Sequence, residues 1–573
     1  MKSRLRALYP LLAVVVVGVV ASAGPTASWL GRALFDWTGE TVLTEQLKGT
    51  GALVLLRLTQ PSLRTDPMVP IAHTSSKPYG VNTFLEQEPD FEVVEASLDR
   101  VQEAGFAWIR QQFPWEDIEI HDRGDFEDRR HEPARSAWEK YDRIVGAAEA
   151  RGLGVIARLD QPPAWAFDAE ASPGVIQTPP TEVSDFGAFA EAVATRYRGR
   201  IGYYQIWNEP NLAVEWGGDS PDPAAYTGLL CEASRRIKAA DPDAVVLSAA
   251  LAATVETGPL NLSDLLYLQA MYDEGAGACF DIMSAQAYGL WTGPTDRRVD
   301  PTRTNFPRPL LLREILVRNG DASKPIWASE MGWNALPEGF AGEPIYGRVT
   351  REDQAAFAVQ AYQRAQSEWP WMGPMSYWFL KRASDREADQ AFYYFRMLEP
   401  DLGPLPVYDS LSELASQAPV LGLGYKQEDH WALVYEGAWE DVLDPDAVLG
   451  GYRRSGSVGD RVSFRFSGTD LSVVFGLSGG DVEVVVNGAR RALGRAAEVG
   501  EVVVAQGLRD AEHTFKMTTL SAGIAIDGVI VRRTPTYPVR RLAIVGLGIA
   551  GLLGGAIWLR RWRISRASPE SSP

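Results

Sequence analysis

From Tyr79 onward the chain alternates short runs of apolar, β-branched and aromatic residues with longer stretches in which apolar positions recur every three or four residues. The first pattern predicts strands and the second amphipathic helices. Strands are predicted at Tyr79–Phe84, Trp108–Gln112, Gly154–Leu159, Tyr203–Trp207, Val245–Ser248, Ile282–Gln286, Ile326–Ser329 and Ser376–Phe379. Helices are predicted between and after them, at Val93–Ala104, Trp138–Arg151, Asp185–Tyr197, Pro223–Ala240, Ser263–Gly275, Arg308–Asn319, Glu352–Trp369 and Val407–Ala415. Several open at Ser, Asp or Pro and end at Gly or before Asp-Pro, as helix boundaries do. Strand–helix pairs repeated in this way predict an α/β fold, a (β/α)8 TIM barrel over residues 78–418.

Beyond a linker at 419–428 the helical period disappears. Residues 429–535 carry short alternating runs at Val462–Phe466, Leu471–Phe475, Val482–Val486, Glu501–Ala505, His513–Met517 and Ile524–Arg532, with turn signals such as Asn487-Gly488 and Asp527-Gly528 between them. They predict a small antiparallel β-sandwich of jelly-roll type. Residues 24–77 read only as a partly apolar segment leading into the barrel.

The two ends bear on the compartment. Residues 1–23 run from Lys2, Arg4 and Arg6 through an apolar stretch to Ala21-Ser22-Ala23, the order of a signal peptide, or of an N-terminal anchor if uncleaved. Leu542–Leu559 is free of charge and lies between Arg540-Arg541 and Arg560-Arg561. Residues 540–561 therefore read as a C-terminal transmembrane helix and 562–573 as a cytoplasmic tail, leaving the body of the chain anchored to the cell membrane and extracytoplasmic.

Composition narrows the partners. The 56 Lys and Arg against 74 Asp and Glu give a formal charge of −18, which argues against a nucleic acid partner. The two cysteines, Cys231 and Cys279, are too few for a disulfide framework; Cys231 falls in a helical pattern and reads more readily as a buried thiol, with a bridge to Cys279 left open. His73, His121, His131, His430 and His513 all fall outside the predicted strand ends and show no metal-ligand spacing, so no metal and no other cofactor is expected.

Chemistry in such barrels sits at the carboxyl ends of the strands. Glu209 ends the fourth strand, in Trp207-Asn208-Glu209-Pro210, and Glu330 ends the seventh, in Ile326-Trp327-Ala328-Ser329-Glu330. Two carboxylates across one barrel mouth are what hydrolysis of a glycosidic bond requires. These motifs resemble the large clan of retaining (β/α)8 glycoside hydrolases with an Asn-Glu pair on strand four and a nucleophile on strand seven. Cellulase-like, β-xylosidase-like and exopolysaccharide-hydrolase-like families belong to it. The resemblance spans residues 78 to about 418.

The resemblance implies that Glu209 is the acid/base and Glu330 the nucleophile. It implies that Asn208 meets the sugar 2-hydroxyl, that Arg110 lies beside the nucleophile, that Tyr288 donates to it, and that Trp378 floors the cleaving subsite. Asp160, Trp165 and Trp333 read as further substrate contacts. The expected substrate is a β-linked oligo- or polysaccharide at the cell surface. A barrel that binds polysaccharide without cleaving it, or passes the glycosyl group to another acceptor, would use the same residues. The sandwich resembles modules attached to carbohydrate-active enzymes and reads as a spacer, because its strands offer few exposed aromatics.

Overall fold

The computed structural model describes residues 26–168, 177–476, 480–493 and 500–534. Eight strands form the central sheet: β1 (Tyr79–Thr83), β2 (Trp108–Pro114), β3 (Gly154–Asp160), β4 (Tyr203–Ile206), β5 (Val245–Leu247), β6 (Met283–Tyr288), β7 (Ile326–Gly332) and β8 (Met372–Tyr377). All neighbours are parallel, in the order β5-β4-β3-β2-β1-β8-β7-β6. Isolated parallel bridges Leu247↔Ile282 and Leu251↔Ala285 join the two outer strands and close the barrel. Two helices precede it, α1 (Thr26–Thr38) and α2 (Leu43–Thr59), and eight follow the strands: α3 (Phe91–Glu103), α4 (Glu139–Glu149), α5 (Val183–Arg196), α6 (Pro223–Ala240), α7 (Asp264–Asp273), α8 (Pro309–Arg318), α9 (Arg351–Glu368) and α10 (Pro406–Ser416).

The lower interior is an apolar plug of Trp108, Ile156, Val245, Leu247, Ile282 and Trp327 with Tyr203 against it. Trp108 meets Tyr203 edge-on at 5.0 Å, and Tyr203 stacks on Trp327 at 4.8 Å. Trp327 fits because the residue behind it is Gly373, where a Cβ would lie 2.2 Å from its indole nitrogen.

β8 departs furthest from expectation, beginning at Met372 and ending at Tyr377 rather than spanning Ser376–Phe379. Gly373-Pro374 looks like a strand breaker, but the β7–β8 register shifts between Met372 and Met375, and the irregularity accommodates the proline. Residues 24–77 also hold more than an apolar lead-in. Helices α1 and α2 form a hairpin docked on the loop after β6, where Arg298 donates to Thr38 O at 2.8 Å and pairs with Glu40 at 2.7 Å.

After the barrel, two antiparallel sheets pack face to face around Phe464, Phe466, Val473, Val484, Phe515, Met517 and Ile526. Alternate residues of Arg461–Gly468 and Ala511–Thr519 are buried, and Phe464 stacks on its register partner Phe515 at 4.6 Å. The stretch 419–428 is not a linker. Val420–Leu421 pairs with Arg461–Gly468, and Gly424–Gln427 with Ala525–Arg532, so these residues are edge strands of the sandwich. The sandwich meets the barrel at its amino face: Trp431 N donates to Ser75 O at 2.9 Å, and its ring lies 6.2 Å from Tyr79 at the start of β1.

Cys231 in α6 and Cys279 before β6 form a disulfide with Cα atoms 4.8 Å apart, correcting the reading of Cys231 as a buried thiol. No helix among the described residues is long and apolar enough to cross a membrane. The segments 1–23, 540–561 and 562–573 lie outside the described residues.

Candidate active site

The strand that bears Glu209 ends abruptly. Trp207 (φ 70°) and Glu209 (φ 43°) both take left-handed backbone conformations that bulky residues avoid. The strain is held by neighbours: Trp207 N donates to Leu159 O at 2.9 Å, Glu209 N to Ala250 O at 3.0 Å, and the buried Trp207 indole to Glu215 O at 2.9 Å. A regular strand would turn Asn208 and Glu209 to opposite faces. Here both face the mouth. β7 achieves the same with a bulge: its register to β6 shifts between Ala285 and Gln286, so consecutive Ser329 and Glu330 both point inward.

Arg110 is the hub. It is 2% exposed, and each of its nitrogens donates: Nε to Gln205 Oε1 (2.6 Å), Nη1 to Asn82 Oδ1 (2.8 Å) and to Glu330 Oε1 (2.9 Å), and Nη2 to Asn208 Oδ1 (3.0 Å). A buried guanidinium is tolerated only with its charge paired and its donors satisfied. Glu330, 4% exposed, takes further hydrogen bonds on Oε2 from Tyr288 Oη (2.8 Å) and Gln286 Nε2 (3.3 Å). The same Gln286 amide nitrogen also donates to Glu209 Oε1. Glu209 and Glu330 therefore face one another across a single amide group.

The two carboxylates differ in support. Glu330 has a cation and a phenol. Glu209 has only the amide, and burial, followed by the charges of Glu215 and Glu330, raises its pKa well above the ordinary carboxyl range.

Trp378, immediately after β8, is half-buried and lines a small cavity with Asn82, Phe84, Arg110, Gln112 and Arg158, with its ring edge-on to Phe84 at 5.5 Å. Arg110, Asn208, Tyr288, Trp378, Glu209 and Glu330 thus come together. Three expected substrate contacts do not join them in that role. Trp333 is 0% exposed; its indole donates to Thr292 O at 2.8 Å and packs on Phe306 and Phe357, so it is core beneath the rim. Gly289 makes room for it, since a Cβ there would lie 2.0 Å from the indole. Asp160 is also 0% exposed, held by Gln112 (2.7 Å) and paired with Arg158 (2.8 Å), and it reaches the cleft only through that arginine. Trp165 is partly exposed on the loop after β3, tied to Glu119 O at 2.9 Å and edge-on to Trp115, and it touches none of the groups around Arg110.

Sequence reasoning passed over Asn82, Gln205, Gln286, Arg158, Glu215 and Tyr346. The three amides carry no charge and sit within strands, where only inward parity marks them. Tyr346 comes from the long loop after β7; its ring packs on Phe395, which packs on Tyr288, and the charges of Glu209 and Glu330 act on its hydroxyl.

No family model and no curated protein matches the chain. Among solved structures it is similar to a family 39 glycoside hydrolase from the gut symbiont Bacteroides cellulosilyticus WH2, at 18% identity over 80% of this chain and 82% of that one, with a TM-score of 0.44. It is similar to a glucosidase from Croceicoccus marinus at 13% identity over 79% of this chain and 98% of that one (TM-score 0.45). It is also similar to the native xylanase 10B from Thermotoga maritima at 15% identity over 59% of this chain and 94% of that one (TM-score 0.39).

Proposed function

We propose that the chain is a retaining glycoside hydrolase that cleaves O-glycosidic bonds of a β-linked oligo- or polysaccharide. The observation that carries this reading is the pair of carboxyls on one amide, Glu209 and Glu330 on Gln286 Nε2. Two hydrogen bonds to one atom keep their nearest oxygens within about 6 Å, which supports the closer spacing that double displacement uses.

In the first step Glu209, kept protonated by its surroundings, gives its proton to the leaving oxygen while a Glu330 oxygen attacks the anomeric carbon. Arg110 and Tyr288 hold Glu330 aimed, and must loosen their hold as its charge passes into the glycosyl ester. In the second step Glu209, now a carboxylate, takes a proton from water as that water displaces Glu330. Asn208, oriented by Arg110, presents its amide toward a sugar hydroxyl. Trp378 supplies an apolar wall for the ring.

Three further points belong to the same proposal. The body of the chain acts outside the membrane, held by the C-terminal apolar segment; the Cys231–Cys279 disulfide fits an oxidising compartment. The sandwich serves as a spacer, because it attaches at the amino face of the barrel, away from the mouth. The partner is carbohydrate and not nucleic acid, in keeping with the negative charge.

The test is the stereochemistry of the first-formed product, followed by proton NMR on an activated β-glycoside. Retention is expected. Inversion would discard the double-displacement reading, and no turnover of any glycoside by the intact chain would leave only a binding barrel.

A further inference from the structure

Among the described residues, the carboxyls of Glu209, Glu215, Glu330 and Asp160 gather around Arg110 and Arg158 in the mouth. Glu330 is paired with Arg110 at 2.9 Å and Asp160 with Arg158 at 2.8 Å. That leaves Glu209 and Glu215 without a cation of their own among the described residues. Glu215 is brought back to the site by the turn after β4. Leu212 N donates to Glu209 O at 2.9 Å, Trp207 Nε1 donates to Glu215 O at 2.9 Å, and the Glu215 carboxyl comes to lie beside the Asn208 amide. Its Oε2 is buried and has no hydrogen-bond partner among the described residues.

A buried carboxylate oxygen with neither cation nor donor is costly, and the charges of Glu215 and Glu209 act against one another. The groups facing the pair are Arg158 and Asp160 from β3, Arg110 from β2, Asn208 from β4, Glu330 from β7, and the hydroxyls of Tyr288 and Tyr346. Both cations among them are already engaged.

Resting on the glycosidase reading above, we propose that Glu215 is a positioning residue for proton transfer: it and Glu209 form a carboxyl pair holding one proton, and the negative charge of Glu215 keeps that proton on Glu209. When Glu209 gives its proton to the leaving oxygen, two neighbouring carboxylates result. Their repulsion makes Glu209 the stronger base for the water of the second step, and the proton taken from that water restores the starting state. Burial first, and then the charges of neighbouring Asp160 and Glu330, also raise the pKa of Glu215 against the pull of Arg158, as expected for a member of such a pair.

The experiment is the pH dependence of kcat/KM for the intact protein, Glu215→Gln and Glu215→Asp. Removing the negative charge lets Glu209 ionise more easily, so the alkaline limb should move to lower pH by about one unit in Glu215→Gln. It should stay near the parent position in Glu215→Asp, which retains the charge. An unmoved limb in Glu215→Gln overturns the proposal. So does an equal shift in both variants, which would reflect altered packing. Infrared difference titration of the protonated carboxyl band, assigned with Glu209→Gln, reads the same coupling without turnover. If no glycoside is cleaved, a downward shift of that band in Glu215→Gln still establishes the pair, while an unshifted band rejects it.

Discussion

The two ends of the barrel are built from the same strands and could hardly differ more. β7 contributes Trp327 to the floor and Glu330 to the mouth; β2 contributes Trp108 and Arg110; β3 contributes Ile156 and then Arg158 and Asp160. Below, rings pack on rings with no charge among them. Above, Arg110, Gln205, Asn208, Gln286 and Glu330 are buried in one hydrogen-bond network. The difference shows how a single sheet separates the two demands on it. Dispersion and apolar burial stabilise the lower layer, and this offsets the desolvation of charges a few residues further along each strand.

Substitutions can break that division or sharpen it. The largest effect on turnover should come from the mouth. Glu330→Gln should abolish measurable hydrolysis, and Glu209→Gln should lower kcat on a poor leaving group by about 10²–10⁴. Azide should partly restore Glu209→Ala on an activated substrate only, and the melting temperature of Glu209→Gln should stay close to the parent, whereas Glu330→Gln leaves the buried Arg110 guanidinium without its counter-charge and should lower it. A drop in Glu209→Gln as large as that of a floor variant would show that the unpaired carboxyl of the mouth also stabilises the fold. At the floor, Trp327→Ala should cost about 3–5 kcal/mol in denaturant unfolding, with kcat per folded molecule preserved.

The join between β5 and β6 comes next. Isolated bridges close the barrel there, and the Cys231–Cys279 bond ties α6 to the segment entering β6. Cys231→Ser with Cys279→Ser should cost about 2–4 kcal/mol, with hydrogen exchange rising first in β5 and β6. The smallest effect should be Arg454→Ala on the sandwich. Its exposed pair with Glu440 at 2.5 Å is screened by solvent, so the unfolding midpoint and the activity should both stay at the parent values.

Much of this could be read before any coordinates. The barrel strands are apolar on both faces, so their runs stand out, and the helices between them carry clear starts and stops. Glu209 and Glu330 stand out because a charged residue closing an apolar run is conspicuous, whereas Asn208, Arg110 and Tyr288 are marked only by the resemblance those motifs carry. Trp333 misled because side-chain direction after a bulge cannot be counted from sequence: past the irregularity at Glu330 it turns outward, under α9. The early strands of the sandwich escaped because Trp439–Leu443 is largely exposed and Gly451–Ser455 is short and polar, and so both lack the alternation that marked Arg461–Gly468. Glu215 could not be seen, since a turn of two left-handed residues returns it to the site.

The irregularities at the ends of β4 and β7 have one further consequence. An unbroken strand can offer its lumen only every other residue, which rations the functional groups a narrow mouth can hold. The kinked end of β4 and the bulge of β7 lift that ration at the two points where adjacent residues are needed together. An idealised barrel carrying the same side chains at the same positions would therefore retain its shape and lose half of each pair, and transplanting this chemistry means transplanting the defects with it.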